Sequence, residues 1–227
     1  MRRLPVIGRS FDPTRSRPFA GRRLLLACGV AAPILALAST VSAMAVYPHF
    51  NQARQYLSEL GGASADRPTI FNAGVFAAGF LAALAGVGFG LAIATLTRAR
   101  LIGGLTATVF LLAGYGLAEA AIYPWPDPRH LAINLGLGIQ IAPLLLIWGL
   151  WTRPDLKGLK LFLAGVFVTM ASLTVLTKHL ILPSLVNDAN VGWWERAYAI
   201  ILVGWVGVAA FLLERCLRQE SVGSKTA

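Results

Sequence analysis

Six long apolar runs, separated by short polar breaks, organise the chain. They cover 24–46, 70–95, 101–122, 130–151, 159–181 and 193–213. A helix that crosses a bilayer needs about 20 mainly apolar residues, and each run reaches that length. The expected fold is therefore all-α: an integral membrane bundle of six transmembrane helices over 24–214. An Arg-rich tail (1–23) precedes it and a short tail (215–227) follows. The breaks have chemical causes. Arg98 and Arg100 end the second run, and "YPWPDPR" at 123–129 puts three prolines where a helix would have to continue. "TRPDLKGLK" at 152–160 mixes charge, proline and glycine, and "PSLVNDANVG" at 183–192 reads as a polar turn.

Orientation follows from the basic residues. The two tails, the 96–100 break and the 152–160 break together hold fifteen Lys and Arg, against five on the opposite side: Arg54, Arg67, Arg129, Lys178 and Arg196. The richer side is expected to be cytoplasmic, with both termini inside. The "STVSAMA" stretch near residue 40 has the look of a signal-peptidase site, but the first span is expected to be retained.

Composition agrees with a membrane class. The chain is 56% hydrophobic and 13% charged, with a mean hydropathy of +0.66, whereas soluble domains carry roughly 25% charged residues. The net charge of +10 raises nucleic-acid binding as a reading. The basic residues, however, are distributed by topology rather than gathered on a patch with stacking aromatics, so no nucleic-acid partner is expected and membrane lipids are. Cys28 and Cys216 form no C-x-x-C and no Cys/His cluster, so neither a disulfide framework nor a zinc knuckle is indicated.

Polar residues at membrane depth carry most of the remaining information. They collect on the outer side: His49, His130 and His179, with Glu59, Asp66, Glu119, Asp127, Lys178, Asp188, Glu195 and Arg196. In the first outer loop, Asn51 can cap a helix in which Ala53, Tyr56, Leu57 and Leu60 form an apolar stripe and which Gly61 and Gly62 end. The loop is thus expected to hold a short interfacial helix that partly lids the bundle. Pro68 then suits the first turn of the next span, and Asn72 enters the membrane one turn down.

Glu119 shares a face with Tyr115 and Tyr123 about one turn inside the outer boundary, as a general acid/base or as a polar anchor. Asp127 can cap the fourth span with Pro128 at its first position; His130 follows, and Asn134 lies one turn on. A neutral His130 can take a proton, or it can satisfy loop carbonyls. His179 shares a face with Ser172, and Lys178 can snorkel outward. Trp193 and Trp194 suit an interfacial belt, and Glu195 and Arg196 can pair with neighbouring groups. The catalytic candidates are therefore Glu59, Glu119, His130 and His179. The binding candidates are Ser58, Asn72, Tyr123, Asp127, Asn134, Glu195 and Arg196. No H-x-x-x-H or H-E-x-x-H pair exists, so no metal is expected. The histidines gather at one boundary rather than opposing one another within the bundle, which disfavours haem, and no cofactor is expected.

These residues also carry a resemblance. Tyr47-Pro48, Ser58-Glu59-Leu60-Gly61, Pro68 and Phe71-Asn72 resemble the opening signature of the prokaryotic membrane family called domain of unknown function 998. The likeness continues at Tyr123-Pro124, Asp127, His130-Leu131, Gly192, Glu195-Arg196 and Trp205. It implies a six-helix protein of a prokaryotic plasma membrane and brings no established activity. The Ser-Glu-Leu-Gly loop and the later histidine are distantly similar to Frag1/DRAM-type membrane proteins, a likeness that lends a lipid-handling flavour. Three functions stay open: a protein that binds or modifies a lipid or amphiphile at the outer leaflet, a structural or assembly protein without catalysis, and a small transporter. The apolar inner halves of the spans count against the last.

Overall fold

A computed structural model describes residues 17–132, 138–177 and 184–226. Among these the chain forms seven α-helices: α1 (Arg17–Ala45), α2 (Pro68–Thr97), α3 (Arg100–Ile122), α4 (Pro128–Ala132), α5 (Gly138–Gly149), α6 (Lys157–Thr177) and α7 (Val191–Thr226). Short 3-10 helices occupy Leu57–Gly61 and Pro154–Leu156. Five helical segments are long and apolar enough to cross a membrane: Gly21–Ala45, Pro68–Thr97, Arg100–Ile122, Pro154–Leu176 and Val191–Glu220.

The run expected as a fourth span is not one continuous described helix. Pro128 opens the five-residue α4 and α5 resumes at Gly138, residues 133–137 lying outside the described residues. The 12 residues of α5 measure roughly 18 Å at 1.5 Å per residue, little more than half a hydrocarbon core of about 30 Å. Two other boundaries move. The first helix starts at Arg17, within the Arg-rich tail, and α7 runs on to Thr226 through most of the expected second tail. Leu213 and Leu217 of α7 are buried, as is Cys216, so its apolar face continues past the end of the predicted span.

Small residues set the helix spacing. The α2/α3 hairpin brings Gly79 against the carbonyl of Gly114 and Gly90 against that of Gly103, approaches with no room for a side chain. Helix α1 runs antiparallel to α7, with Gly29 on Ala210 and Pro33 on Gly207. The core is an aromatic cluster: Phe89 lies 5.1 Å from Phe110 and 6.5 Å from Trp205, centroid to centroid, all three essentially buried. The bundle therefore has two chemically different ends. One carries the 46–67 loop and the 123–130 turn. The other carries the 98–100 and 150–156 turns and the charged end of α7. We call them the loop end and the tail end.

Candidate functional site

The 46–67 loop is held by local caps and then docked onto α7. Asn51 Oδ1 accepts the backbone N–H groups of Ala53 (3.1 Å) and Arg54 (3.2 Å). Glu59 Oε1 accepts the Tyr56 N–H at 2.8 Å, and Glu59 Oε2 accepts from Gln55 Nε2 at 2.9 Å. These two caps compete with a single continuous helix. Asn51 closes a turn over 51–55, Tyr56 is extended (φ −74°, ψ 152°), and the regular part shrinks to the 3-10 helix Leu57–Gly61. The expected amphipathic helix beginning at Asn51 is thus corrected to a turn followed by one 3-10 segment. Leu60 is buried from the predicted stripe while Tyr56 is exposed. Ser58 is half-buried on the 3-10 segment.

Contacts with α7 and α2 fasten the loop. Gly192, in the first turn of α7, donates its N–H to the Ala53 carbonyl at 2.7 Å. A Cβ at Gly192 would lie 2.5, 2.7 and 2.8 Å from the carbonyl oxygens of Gln52, Gln55 and Ala53, so only glycine fits against this ring of oxygens. Glu195 Oε2 accepts the Leu57 N–H at 2.6 Å. Asn72, one turn into α2, donates from Nδ2 to the Gly61 carbonyl at 2.9 Å, and a side chain on Gly61 would overlap its amide.

Arg196 differs from its neighbours. It is only 8% exposed. Its Nη1 donates to the carbonyls of Gly192 (2.7 Å) and Gln55 (3.0 Å), and its guanidinium carbon lies 5.2 Å from the Phe50 ring centroid. Nε and Nη2 are buried with no hydrogen-bond partner. The carboxylates in its neighbourhood are engaged with N–H groups of the loop, and no carboxylate oxygen lies within ion-pair distance of Arg196 among the described residues. Burial first, then Glu195, Asp188 and Glu59, push the Tyr56 phenol above its ordinary range.

A second polar group forms at the α3/α4 corner. Asp127 caps α4 as the sequence predicts, accepting the Arg129 N–H at 2.9 Å and, bidentately, the Arg129 guanidinium at 3.0 and 2.7 Å. The Arg129 side chain holds the Asp127 carboxyl at about 2. Arg129 also stacks on Tyr123, 3.7 Å from the ring centroid. His130 Nδ1 lies 3.1 Å from the Ala120 carbonyl and 3.0 Å from that of Tyr123. Two acceptors facing one ring nitrogen place a proton on Nδ1, so His130 closes the C-terminal end of α3 and, in its neutral form, keeps an accepting Nε2. The two polar groups abut: a Cβ on Gly62 would lie 2.6 Å from the Trp125 carbonyl. Glu119 Oε2 is buried without a partner. His179 and Asn134 lie outside the described residues, as does Lys178. Among the described residues no three His, Cys, Asp or Glu side chains group so as to hold a metal.

Two features escape the sequence reading. Gln140 of α5 joins Tyr198 of α7 and Thr174 of α6, Nε2 donating to the Tyr198 hydroxyl and Oε1 accepting from Thr174 Oγ1 at 3.2 Å. A lone glutamine inside "GIQIAPLLLIWGL" is the signal that marks it. The other is a cavity of about 560 Å³ beneath the docked loop, walled by α1, α2 and α7 and roofed by Gln52 and Leu57. Its walls are nearly all apolar. Among the described residues, Arg196 is the one charged residue that lines it, and none of those lining it is acidic. Its rim bears the exposed side chains of Val41, Trp193 and Ile200, so it opens between α1 and α7 onto the apolar flank.

No curated protein and no solved structure matches the chain. The model of one family matches residues 30–212, which takes in every loop-end contact described above, and the chain therefore belongs to the family described as "Protein of unknown function (DUF998)".

Proposed function

We propose that this is a six-span membrane protein that binds an amphiphile from the outer leaflet, its apolar part entering the cavity between α1, α2 and α7. The observation that supports the reading is the cavity itself: apolar walls, Gln52 in the roof, and a mouth on the flank that faces lipid. Its volume lies within the roughly 300–1,000 Å³ of small-molecule sites. The α1 wall runs from Ala32 to Met44, roughly 18 Å at 1.5 Å per residue, about the depth of one leaflet. In this topology the apolar run 130–151 makes the fourth crossing, the loop end faces outward, and the tails are cytoplasmic by the distribution of Lys and Arg.

The test narrows the cavity from opposite walls with Ala36→Phe and Ala197→Trp. Ala197 is exposed, so a larger side chain there does not overpack a core. Lipid retained by the protein after purification in mild detergent is then measured by native mass spectrometry. The reading expects a retained species in the wild type that both variants lose at unchanged thermal stability. Equal retention in all three proteins would refute it.

A second reading, an assembly protein without catalysis, has its own support. Glu59, Asn72, Asp127, His130 and Glu195 are all engaged with backbone groups of the loops, which is how a purely architectural polar network is built.

A further inference from the structure

We infer that the amphiphile carries an anionic oxygen head, a phosphate or carboxylate, and that Arg196 is the group that reads it. The inference rests on the amphiphile reading and adds the chemical class of the ligand. Of the site residues the sequence singles out and the structure describes, most have their polar atoms engaged. Glu59 and Glu195 accept backbone N–H groups, Asn72 holds the Gly61 carbonyl, and His130 Nδ1 faces two carbonyls. Arg196 keeps two of its three guanidinium nitrogens without an acceptor while being more than nine-tenths buried. It also lines the cavity.

An arginine stays charged in any protein environment, so those N–H groups cannot be relieved by deprotonation. A buried donor left unmatched is destabilising, and more so for a charged group. An oxyanion is the acceptor that fits: two N–H groups of a planar guanidinium meet two oxygens of a phosphate or carboxylate side by side. The cavity fits the same ligand, since a neutral or cationic head would leave the guanidinium uncompensated, and among the described residues no acidic lining residue waits to receive an ammonium. The position is appropriate in depth: Arg196 sits in the second turn of α7, below the docked loop, while Pro33 and Val206 lie at the far end of the cavity. Phe50, over the guanidinium, and Gln52, in the roof, are the side chains that move for a head group to reach Nε and Nη2.

The test uses the full-length protein in mild detergent with defined probes: 1-palmitoyl lysophosphatidic acid, its uncharged counterpart 1-palmitoylglycerol, glycerol 3-phosphate and inorganic phosphate. Binding is read by native mass spectrometry and by thermal shift. The wild type is expected to prefer the anionic lipid over the uncharged one by about tenfold or more, as charge-assisted pairing in a dry site implies. The two soluble phosphates are expected to bind at least about tenfold more weakly than the anionic lipid, because they bring no apolar surface. Arg196→Gln is expected to abolish the preference while 1-palmitoylglycerol binds as before; that unchanged binding also reports that the variant is folded. The wild-type comparison of the two lipids needs no variant, so it decides the matter even if Arg196→Gln does not fold. Equal binding of the two lipids by the wild type overturns the assignment of the head and leaves the amphiphile reading standing. Soluble phosphates binding as tightly as the lipid overturn the acyl part. If neither lipid binds in a way that Ala197→Trp blocks, both the amphiphile reading and this inference fall.

Discussion

The two ends of α7 handle charge in opposite ways. At the tail end, Arg23 pairs with Glu214 at 2.6 Å, Arg218 with Glu214 at 3.1 Å, and Arg153 with both Asp155 (2.7 Å) and Glu220 (2.5 Å). These are exposed, side-chain to side-chain, cation to anion. At the loop end the carboxylates of Glu59 and Glu195 accept N–H groups of the loop and form no ion pair among the described residues, and the nearby cation, Arg196, is buried against carbonyls. The difference teaches where to look for a ligand. Paired surface charges are self-sufficient and contribute little each, whereas a buried cation with idle donors describes an acceptor supplied from outside the chain.

The comparison breaks most sharply at Gly192. Gly192→Val forces a branched side chain into a ring of three carbonyl oxygens that a single Cβ would already approach to 2.5 Å. It is expected to cost about 3 kcal/mol and to free the loop from α7. Limited proteolysis of the 51–57 segment and thermal unfolding in detergent check it, and an unchanged cleavage pattern would mean that the loop is not anchored there. The tail end should respond far less. Glu214→Gln removes the shared partner of Arg23 and Arg218, whose side chains are 48% and 59% exposed, and is expected to cost less than about 1 kcal/mol, an effect that fades in high salt. A loss as large as that at Gly192 would erase the contrast between the ends.

The smallest effect concerns acid. Asp127 is a partly exposed carboxylate whose value falls from 3.8 to about 2 in the folded chain, chiefly through the Arg129 side-chain bond. Its contribution is therefore fully present above about 3.8 and is lost as the pH drops through about 2. Following the Asp127 carboxyl carbon by NMR should give a midpoint near 2 in the wild type, and a return toward 3.8 in Arg129→Gln.

Much of this was legible in the sequence, for stated physical reasons. Long apolar runs broken by proline and charge mark helices unambiguously, so five of the six predicted runs correspond to the five long apolar helices. The glycine stop at Gly61 and Gly62 and the cap at Asp127 depend on short-range chemistry that local sequence encodes. Three things depended on packing and were hidden. The 51–60 segment fits a helical wheel, but Asn51 and Glu59 cap it from both ends and split it. Gln140 looked like an incident in an apolar run until α6 and α7 brought Thr174 and Tyr198 to it. Arg196 stood among several equal candidates, and only the count of engaged and idle donors in three dimensions separates it from Glu195, one residue away.

The docking of the first loop onto the last helix has a consequence for biogenesis. The hydrogen bonds from Leu57 to Glu195 and from Arg196 to Gln55 join residues 138 and 141 positions apart. A ribosome adding about 5–20 residues per second needs on the order of ten seconds to cross that distance. Through that interval the clasp of the loop has not been made. The roof over the cavity therefore closes last, and a truncated or stalled chain lacking α7 would present an open, unroofed groove to the membrane and to whatever surveys it.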